Sequence, residues 1–102
     1  MNFRVVIEDE AEQEFIEAVY FYDERQPGVG QRFARDLQVF FKFVCKNPER
    51  FRLVSRLTRV ARLPRPWPDC VFFTIKSETS EIIISTIWHD SRNPGELQRR
   101  LK

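Results

Sequence analysis

Val71-Phe72-Phe73-Thr74-Ile75, then Ser77-Glu78-Thr79-Ser80, then Ile82-Ile83-Ile84-Ser85-Thr86-Ile87 is the stretch that decides the fold class of this chain. β-Branched and aromatic residues fill both outer runs, and the polar residues between them have hairpin length. The pattern predicts strands over Cys70–Lys76 and Glu81–Trp88 that pair antiparallel. Ile82-Ile83-Ile84 is apolar without alternation, which marks an interior strand covered on both faces over part of its length. Two weaker strands are expected upstream, over Phe51–Ser55 and Leu57–Leu63.

The first half of the chain changes period. Phe3-Arg4-Val5-Val6-Ile7 reads as a short strand. Asp9 follows as an expected N-cap, with Glu12 completing a capping box. Ala11, Phe15, Ala18, Val19 and Tyr22 then recur at helical spacing and form one apolar face. Pro27-Gly28 ends that helix near Gln26. Phe33, Leu37, Phe40, Phe41 and Val44 repeat the spacing in a second helix, which Asn47-Pro48 ends. Two amphipathic helices joined by so short a turn form an antiparallel hairpin, and their apolar faces need a sheet to cover. The expected order is β-α-α-β-β-β-β, an α+β fold with a helical hairpin packed on a mainly antiparallel sheet. Pro94–Lys102 is polar and reads as a short helical turn or a mobile tail.

At 102 residues the chain is expected to be one domain, residues 1–102. Hydrophobic residues make up 42%, ten of them Phe, which excludes a disordered chain. No apolar stretch reaches the roughly 20 residues of a membrane span. The N-terminal strand turns acidic at once, unlike a signal peptide, so a cytoplasmic location is expected. Cys45 and Cys70 lack zinc spacing and read as reduced, buried thiols, with a disulfide as the alternative. One histidine and three glycines offer neither a metal set nor a phosphate-binding glycine loop, and no cofactor is expected.

The net charge of +2 hides a division. Residues 1–31 hold eight acids against two bases, and residues 32–102 hold fifteen bases against seven acids. Lys46, Arg50, Arg52, Arg56, Arg59, Arg62 and Arg65 lie in one run opposed only by Glu49. Such a run points to an anionic partner, unless the acidic and basic regions lie together and neutralise each other.

Four phrases together resemble the RelE/ParE toxin superfamily, in its ParE-like or plasmid-stabilisation branch. They are Tyr22-Asp23-Glu24-Arg25 before Pro27-Gly28, then Gly30-Gln31-Arg32-Phe33, then Arg59 ahead of Trp67-Pro68, and last His89-x-x-Arg92-x-Pro94 after the final strand. The resemblance runs over nearly the whole chain. It implies the toxic half of a bacterial type II toxin–antitoxin system, held inactive by a cognate antitoxin that wraps it, in a toxin–antitoxin hetero-oligomer. RelE-like members cleave mRNA at the ribosome, whereas ParE-like members act on DNA gyrase, and some relatives have no demonstrated toxicity. Asp69 stands where the family usually has Tyr or His, and no tyrosine follows His89, where several ribosome-dependent nucleases rely on one.

The candidate residues follow from that choice. In a metal-independent nuclease His89 is the general acid or base, while Arg59, Arg62 and Arg92 clamp phosphate. Otherwise His89 is a strand-end residue that bonds a backbone carbonyl. Arg59 and Arg62, three apart in one strand, face opposite sides of the sheet. Salt bridges to the acidic first helix are their alternative role. A target- or antitoxin-binding surface comprises Arg56, Arg59, Arg62, Arg65, Trp67 and Arg92. For Trp67 and Trp88 core packing is the stronger reading against base stacking. Tyr20 and Tyr22 read as packing or surface residues, Asp23 or Glu24 as partners of Arg32, and Arg99 and Arg100 as a solvated tail. The leading expectation is a growth-arresting toxin that binds gyrase. The alternatives are a ribosome-dependent endoribonuclease and a non-toxic antitoxin-binding relative.

Overall fold

The computed structural model describes residues 3–101. In chain order the elements are β1 (Arg4–Ile7), α1 (Asp9–Arg25), α2 (Val29–Lys46), β2 (Arg52–Leu53), β3 (Arg59–Arg62), β4 (Asp69–Lys76), β5 (Glu81–His89) and α3 (Pro94–Arg100). The strands form one sheet in the order β1-β5-β4-β3-β2. β1 runs parallel to β5, and the other neighbours are antiparallel. The fold is α+β, as the periodicity predicts. The two weak strands are shorter than expected, because Val54–Thr58 folds into a tight turn closed by the Val54 N–H on the Thr58 carbonyl at 2.8 Å.

The helical hairpin depends on close approach at its turn. Gly28 adopts φ +91°, a left-handed conformation that favours glycine, and it is the N-cap of α2 without a side chain to cap with. Asp23, on the last turn of α1, supplies the missing acceptor: its Oδ1 takes the N–H of Gly28 at 3.1 Å and of Gly30 at 2.8 Å. The expected Asp23–Arg32 pairing is therefore replaced by a helix-capping role, and the Arg32 guanidinium lies over Trp67 at 5.4 Å. The start of α1 also differs from expectation. Glu8 is its N-cap and makes no side-chain bond, while Asp9 lies inside the first turn. No capping box forms; Asp9, Glu10 and Glu12 instead face the positive end of the helix dipole.

Phe33, Leu37, Phe40, Phe41 and Val44 of α2 are all buried against the sheet, with Val71, Phe73, Ile82, Ile84 and Ile87 beneath the helices. A register shift divides β5. Phe72 pairs with Thr86 but Phe73 with Ile84, so Ser85 is an extra residue, a β-bulge. Because strand side chains alternate, one added residue reverses the facing of everything after it. Ile87 thereby turns towards the helices, and Trp88 turns to the opposite face. There Trp88, Cys70 and Phe72 form a second small core, covered by Val54, Val60 and by Leu97 and Leu101 from the C-terminal segment. The two-sided burial of β5 lies at Thr86–Trp88, where three successive residues are buried, while Ile83 is only half-buried. The expectation for Ile82–Ile84 is displaced along the strand by the bulge. The polar C-terminal stretch is the helix α3 with its apolar edge on this second core; Lys102 lies outside the described residues.

Cys70 is buried, Cys45 half-buried, and both are free thiols. Among the described residues no helix is long and apolar enough to cross a membrane.

A Cβ on Gly30 would sit 2.4 Å from the backbone oxygen of Val19 and 2.8 Å from Asp23 Oδ1. Gly30→Ala must part the two helices, and is expected to cost about 1–3 kcal/mol as overpacking does. Equilibrium urea unfolding reads this; unchanged stability would show that the turn relaxes freely.

Candidate functional site

β5 outruns its neighbour. β1 ends at Ile7 opposite Ile84, and the Glu8 N–H closes the pairing on the Ile84 carbonyl at 3.0 Å. Beyond that point the edge of β5 needs other partners. Glu14 of α1 accepts the Ile87 N–H on Oε1 at 3.0 Å. Arg100 of α3 donates to the Ser85 carbonyl at 2.7 Å. The second oxygen of Glu14 accepts from Arg92 at 3.0 Å and from Arg100 at 2.7 Å, and Glu10 pairs with Arg100 at 3.4 Å. Glu14 is only 8% exposed. A carboxylate so buried persists because a backbone amide and two guanidinium groups surround it. Arg100 therefore belongs to the structure and is no solvated tail, whereas Arg99 is exposed.

The bulge also sets the position of His89. It brings the imidazole to the helix side, 5.5 Å from the Phe21 ring and 6.3 Å from the Tyr22 ring between centroids. Asp69 lies opposite His89 in the β4–β5 register and is 1% exposed. The Tyr22 hydroxyl donates to Asp69 Oδ1. Burial pushes the Asp69 carboxyl above its usual range, partly offset by the Tyr22 hydrogen bond and the nearby His89. Burial, then Asp69, push the Tyr22 phenol far above its ordinary value. Tyr22 is thus a fixed donor and holds its proton. Burial raises the Cys70 thiol to about 11, which makes it inert at neutral pH.

His89 is held in one tautomer. Its Nδ1 accepts the Ser91 backbone N–H at 3.0 Å, with the Ser91 hydroxyl at 2.8 Å. The neutral ring then carries its proton on Nε2 and offers a donor there. The expected bond from His89 to a backbone carbonyl is replaced by this bond from a backbone amide. A cavity of about 240 Å³ opens beside the ring, lined by Glu14, Ala18, Phe21, Tyr22, His89 and Arg92 among others. It is smaller than the roughly 300–1,000 Å³ of small-molecule sites.

The structure separates the predicted arginines. Arg59 donates to the carbonyls of Glu49 at 3.0 Å and Phe51 at 2.7 Å, tying down the segment before β2. Arg62, near the other end of β3, pairs with Asp90 at 2.8 Å. The two alternate across the strand as expected. Neither joins the acidic first helix, whose partners are Arg92 and Arg100. Arg92 also lies over the Trp88 ring at 3.9 Å and 3.6 Å from Glu96. Arg56 and Arg65 are exposed on separate loops. Trp67 and Trp88 are buried, at 6% and 3% exposure, and Trp67 donates its indole N–H to Asp36 at 2.9 Å. Tyr20 is 68% exposed. Among the described residues no three His, Cys, Asp or Glu side chains converge as a metal set.

Sequence reasoning missed Glu14, Asp69 and the role of the Tyr22 hydroxyl. A signal existed for Glu14: it stands between Ala11 and Ala18 on the apolar face of α1, an acid where the period calls for burial.

Two variants test these roles. Glu14→Ala leaves the Ile87 N–H and two guanidinium groups without their acceptor. A loss of about 3 kcal/mol or more is expected in urea unfolding; a change within about 0.5 kcal/mol would show the carboxylate is dispensable. Asp69 has its folded pKa raised, so its native state favours the proton, and its contribution falls as pH rises through the window above the ordinary carboxylate value. Asp69→Asn keeps the acceptor for Tyr22 and removes the buried charge. The variant is expected to melt higher than the parent at pH 7, with the gap closing towards about pH 4. A gap independent of pH would contradict this.

No protein-family model matches the sequence, and no curated protein matches it. Solved structures do. An E. coli toxin RelE variant with two arginines changed to alanine, in the free state, superposes with TM-score 0.68 at 12% identity, over 98% of this chain and 94% of that one. The isolated E. coli RelE toxin gives 0.64 at 14% identity, over the whole of both chains. The Mycobacterium tuberculosis toxin–antitoxin complex RelBE2 gives 0.56 at 17% identity, over 87% of this chain and 99% of that one. At such identities the likeness shows the fold alone: over nearly its whole length the chain has the fold of the RelE toxins.

Proposed function

We propose that this protein is the toxin of a type II toxin–antitoxin module, neutralised by a cognate antitoxin, and that it acts in the cytoplasm by binding a protein target. The full-length likeness to RelE, solved both free and in the intact E. coli RelBE toxin–antitoxin complex, supports the toxin and its partner. The observation that carries the mode of action is the commitment of the candidate clamp arginines. Ribose-directed RNA cleavage needs fixed positive charge free to meet the developing charge on phosphorus. Here Arg59 is bonded to two carbonyls, Arg62 to Asp90, and Arg92 to Glu14. His89, with its proton on Nε2, is a donor whose neighbour Arg92 is held by Glu14, while Arg25 lies over the Phe21 ring at 4.4 Å. DNA gyrase as the target rests on the ParE-like phrases around Gly30-Gln31-Arg32-Phe33 and His89-x-x-Arg92-x-Pro94.

A second reading, ribosome-dependent mRNA cleavage, draws on the tautomer-fixed His89 at the mouth of a cavity and on the RelE likeness. It requires Arg62 or Arg92 to leave its carboxylate, or Arg25 to leave the Phe21 ring, when RNA binds. A protein that keeps antitoxin binding without toxicity is the remaining alternative.

Induced expression in a bacterial host separates them. The binding mode predicts growth arrest that survives His89→Ala, is accompanied by a DNA-damage response, and is relieved by the antitoxin. Arrest abolished by His89→Ala, with the protein still folded, would favour the nuclease. A folded protein that causes no arrest would leave the non-toxic reading.

A further inference from the structure

The two helices of the hairpin carry opposite charge and do not use it on each other. α1 holds seven acids and one base, and α2 holds four bases and one acid. Three of the acids are engaged, Glu10 and Glu14 by Arg100 and Asp23 by the amides of Gly28 and Gly30. Asp9, Glu12, Glu17 and Glu24 are exposed, as are Arg32, Arg35, Lys42 and Lys46. Among the described residues no ion pair joins α1 to α2, and none of these eight side chains is in a salt bridge.

Helical spacing accounts for this. Ala11, Phe15, Ala18 and Tyr22 of α1 turn inward, as do Phe33, Leu37, Phe40 and Val44 of α2. Asp9, Gln13, Tyr20 and Glu24 recur on the opposite side of α1, with Ile16 and Glu17 flanking them. Arg35, Val39, Lys42 and Lys46 recur on the opposite side of α2. Charges on the crests of adjacent helices point outward together and not at each other. Large apolar groups lie among them: Tyr20 is 68% exposed, Val39 62% and Ile16 44%.

We infer that this outer face of the hairpin pairs with the same face of a second copy, forming a reversible two-fold dimer. Two symmetric arrangements bring such faces together. An axis across the helices stacks acid on acid and base on base. An axis along the helices stacks α1 of each copy on α2 of the other, antiparallel, with acid against base at both contacts. Residues equally far from the Gln26–Gly28 turn stand at about one level, as the Asp23–Gly30 hydrogen bond illustrates, and this second axis preserves levels. Asp9 then meets the partner's Lys46, Ile16 the partner's Val39, and Tyr20 the partner's Arg35. Any other partner must match an acidic and a basic stripe side by side, whereas a second copy does so by symmetry alone. Helices of 17 and 18 residues give a face about 26 Å long and about 20 Å wide. The contact buries about 500 Å² per copy, about 1,000 Å² in all, the lower bound for a specific interface, so the dimer dissociates on dilution.

Sedimentation equilibrium of the full chain, from dilute solution to about 1 mM, the weak end of the affinity scale, reads the association. The expected result is a mass that rises from one copy to two, and falls back in about 0.5 M salt as the charges are screened. Arg35→Glu with Lys42→Glu sets acid against acid at both contacts, and Glu17→Lys with Glu24→Lys sets base against base. Each double variant alone should dimerise about tenfold more weakly or worse. Mixed in equal amounts, the two should form a one-to-one heterodimer that recovers most of the loss. Adding Val39→Ser to both members should weaken that heterodimer about fivefold, whereas general attraction between oppositely charged chains would survive the change. Melting of each variant at monomeric dilution controls for folding. A chain that stays monomeric to about 1 mM would overturn the proposal and leave the face to another protein. A dimer that either reversed variant retains at parent strength, or reversed variants that fail to associate when mixed, would overturn it too. None of these outcomes bears on the toxin reading, which growth arrest tests separately.

Discussion

One carboxylate holds the C-terminal third of this molecule in place. Glu14 projects from α1 to the stretch of β5 that β1 does not reach, and accepts a backbone amide there as a strand would. The same group fixes Arg92 and Arg100, so it also ties down the turn after β5 and the helix that follows. Without that anchor Ile87, a residue only 3% exposed, would have an unpaired amide, and α3 would rest on the second core through Leu97 and Leu101. The bulge at Ser85 acts in concert with it. By reversing the facing of the last residues of β5, it sends Ile87 and His89 to the helices and Trp88 to the second core. Cavity, histidine and C-terminal helix are consequences of these two local arrangements.

The periodicity of the chain discloses most of the architecture and little of the site. Phe33 through Val44 reads as a buried helix face and is one. Pro27-Gly28 reads as a stop and is the hairpin turn, because a left-handed residue there admits little but glycine. The bulge is invisible because Ile82-Ile83-Ile84-Ser85-Thr86-Ile87-Trp88 is apolar at nearly every position, so no alternation exists whose phase could be seen to slip. Asp69 appears only as an odd residue after Trp67-Pro68. Its partner Tyr22 lies 47 positions away, and only the packing of α1 on the sheet brings them together. The short β2 was hidden likewise, since Phe51–Ser55 has the composition of a strand while a turn bond decides where pairing ends.

The charge division follows the same logic. Part of the acidic surplus of α1 is spent on Arg92 and Arg100, far along the chain, so local neutralisation does occur there. The arginine run from Arg50 to Arg65 is spread over a turn, two strands and two loops, and forms no single cradle. Two of its members are structural ties, Arg59 to carbonyls and Arg62 to Asp90. Arg35, Lys42 and Lys46 on α2 have no carboxylate within salt-bridge distance among the described residues. Arg59, Arg62 and Arg92, the candidate phosphate clamp, are each committed to a protein acceptor.

The distinction between binding and cutting is tested most directly by primer extension on mRNA from a cell-free bacterial translation reaction, with and without the purified protein. Action through a protein target predicts the same 5′ ends in both samples. New 5′ ends inside translated codons would contradict the account. They would make His89 a catalytic donor and require that an arginine leave its present contact, Arg92 on Glu14 or Arg25 on Phe21, to meet the phosphate.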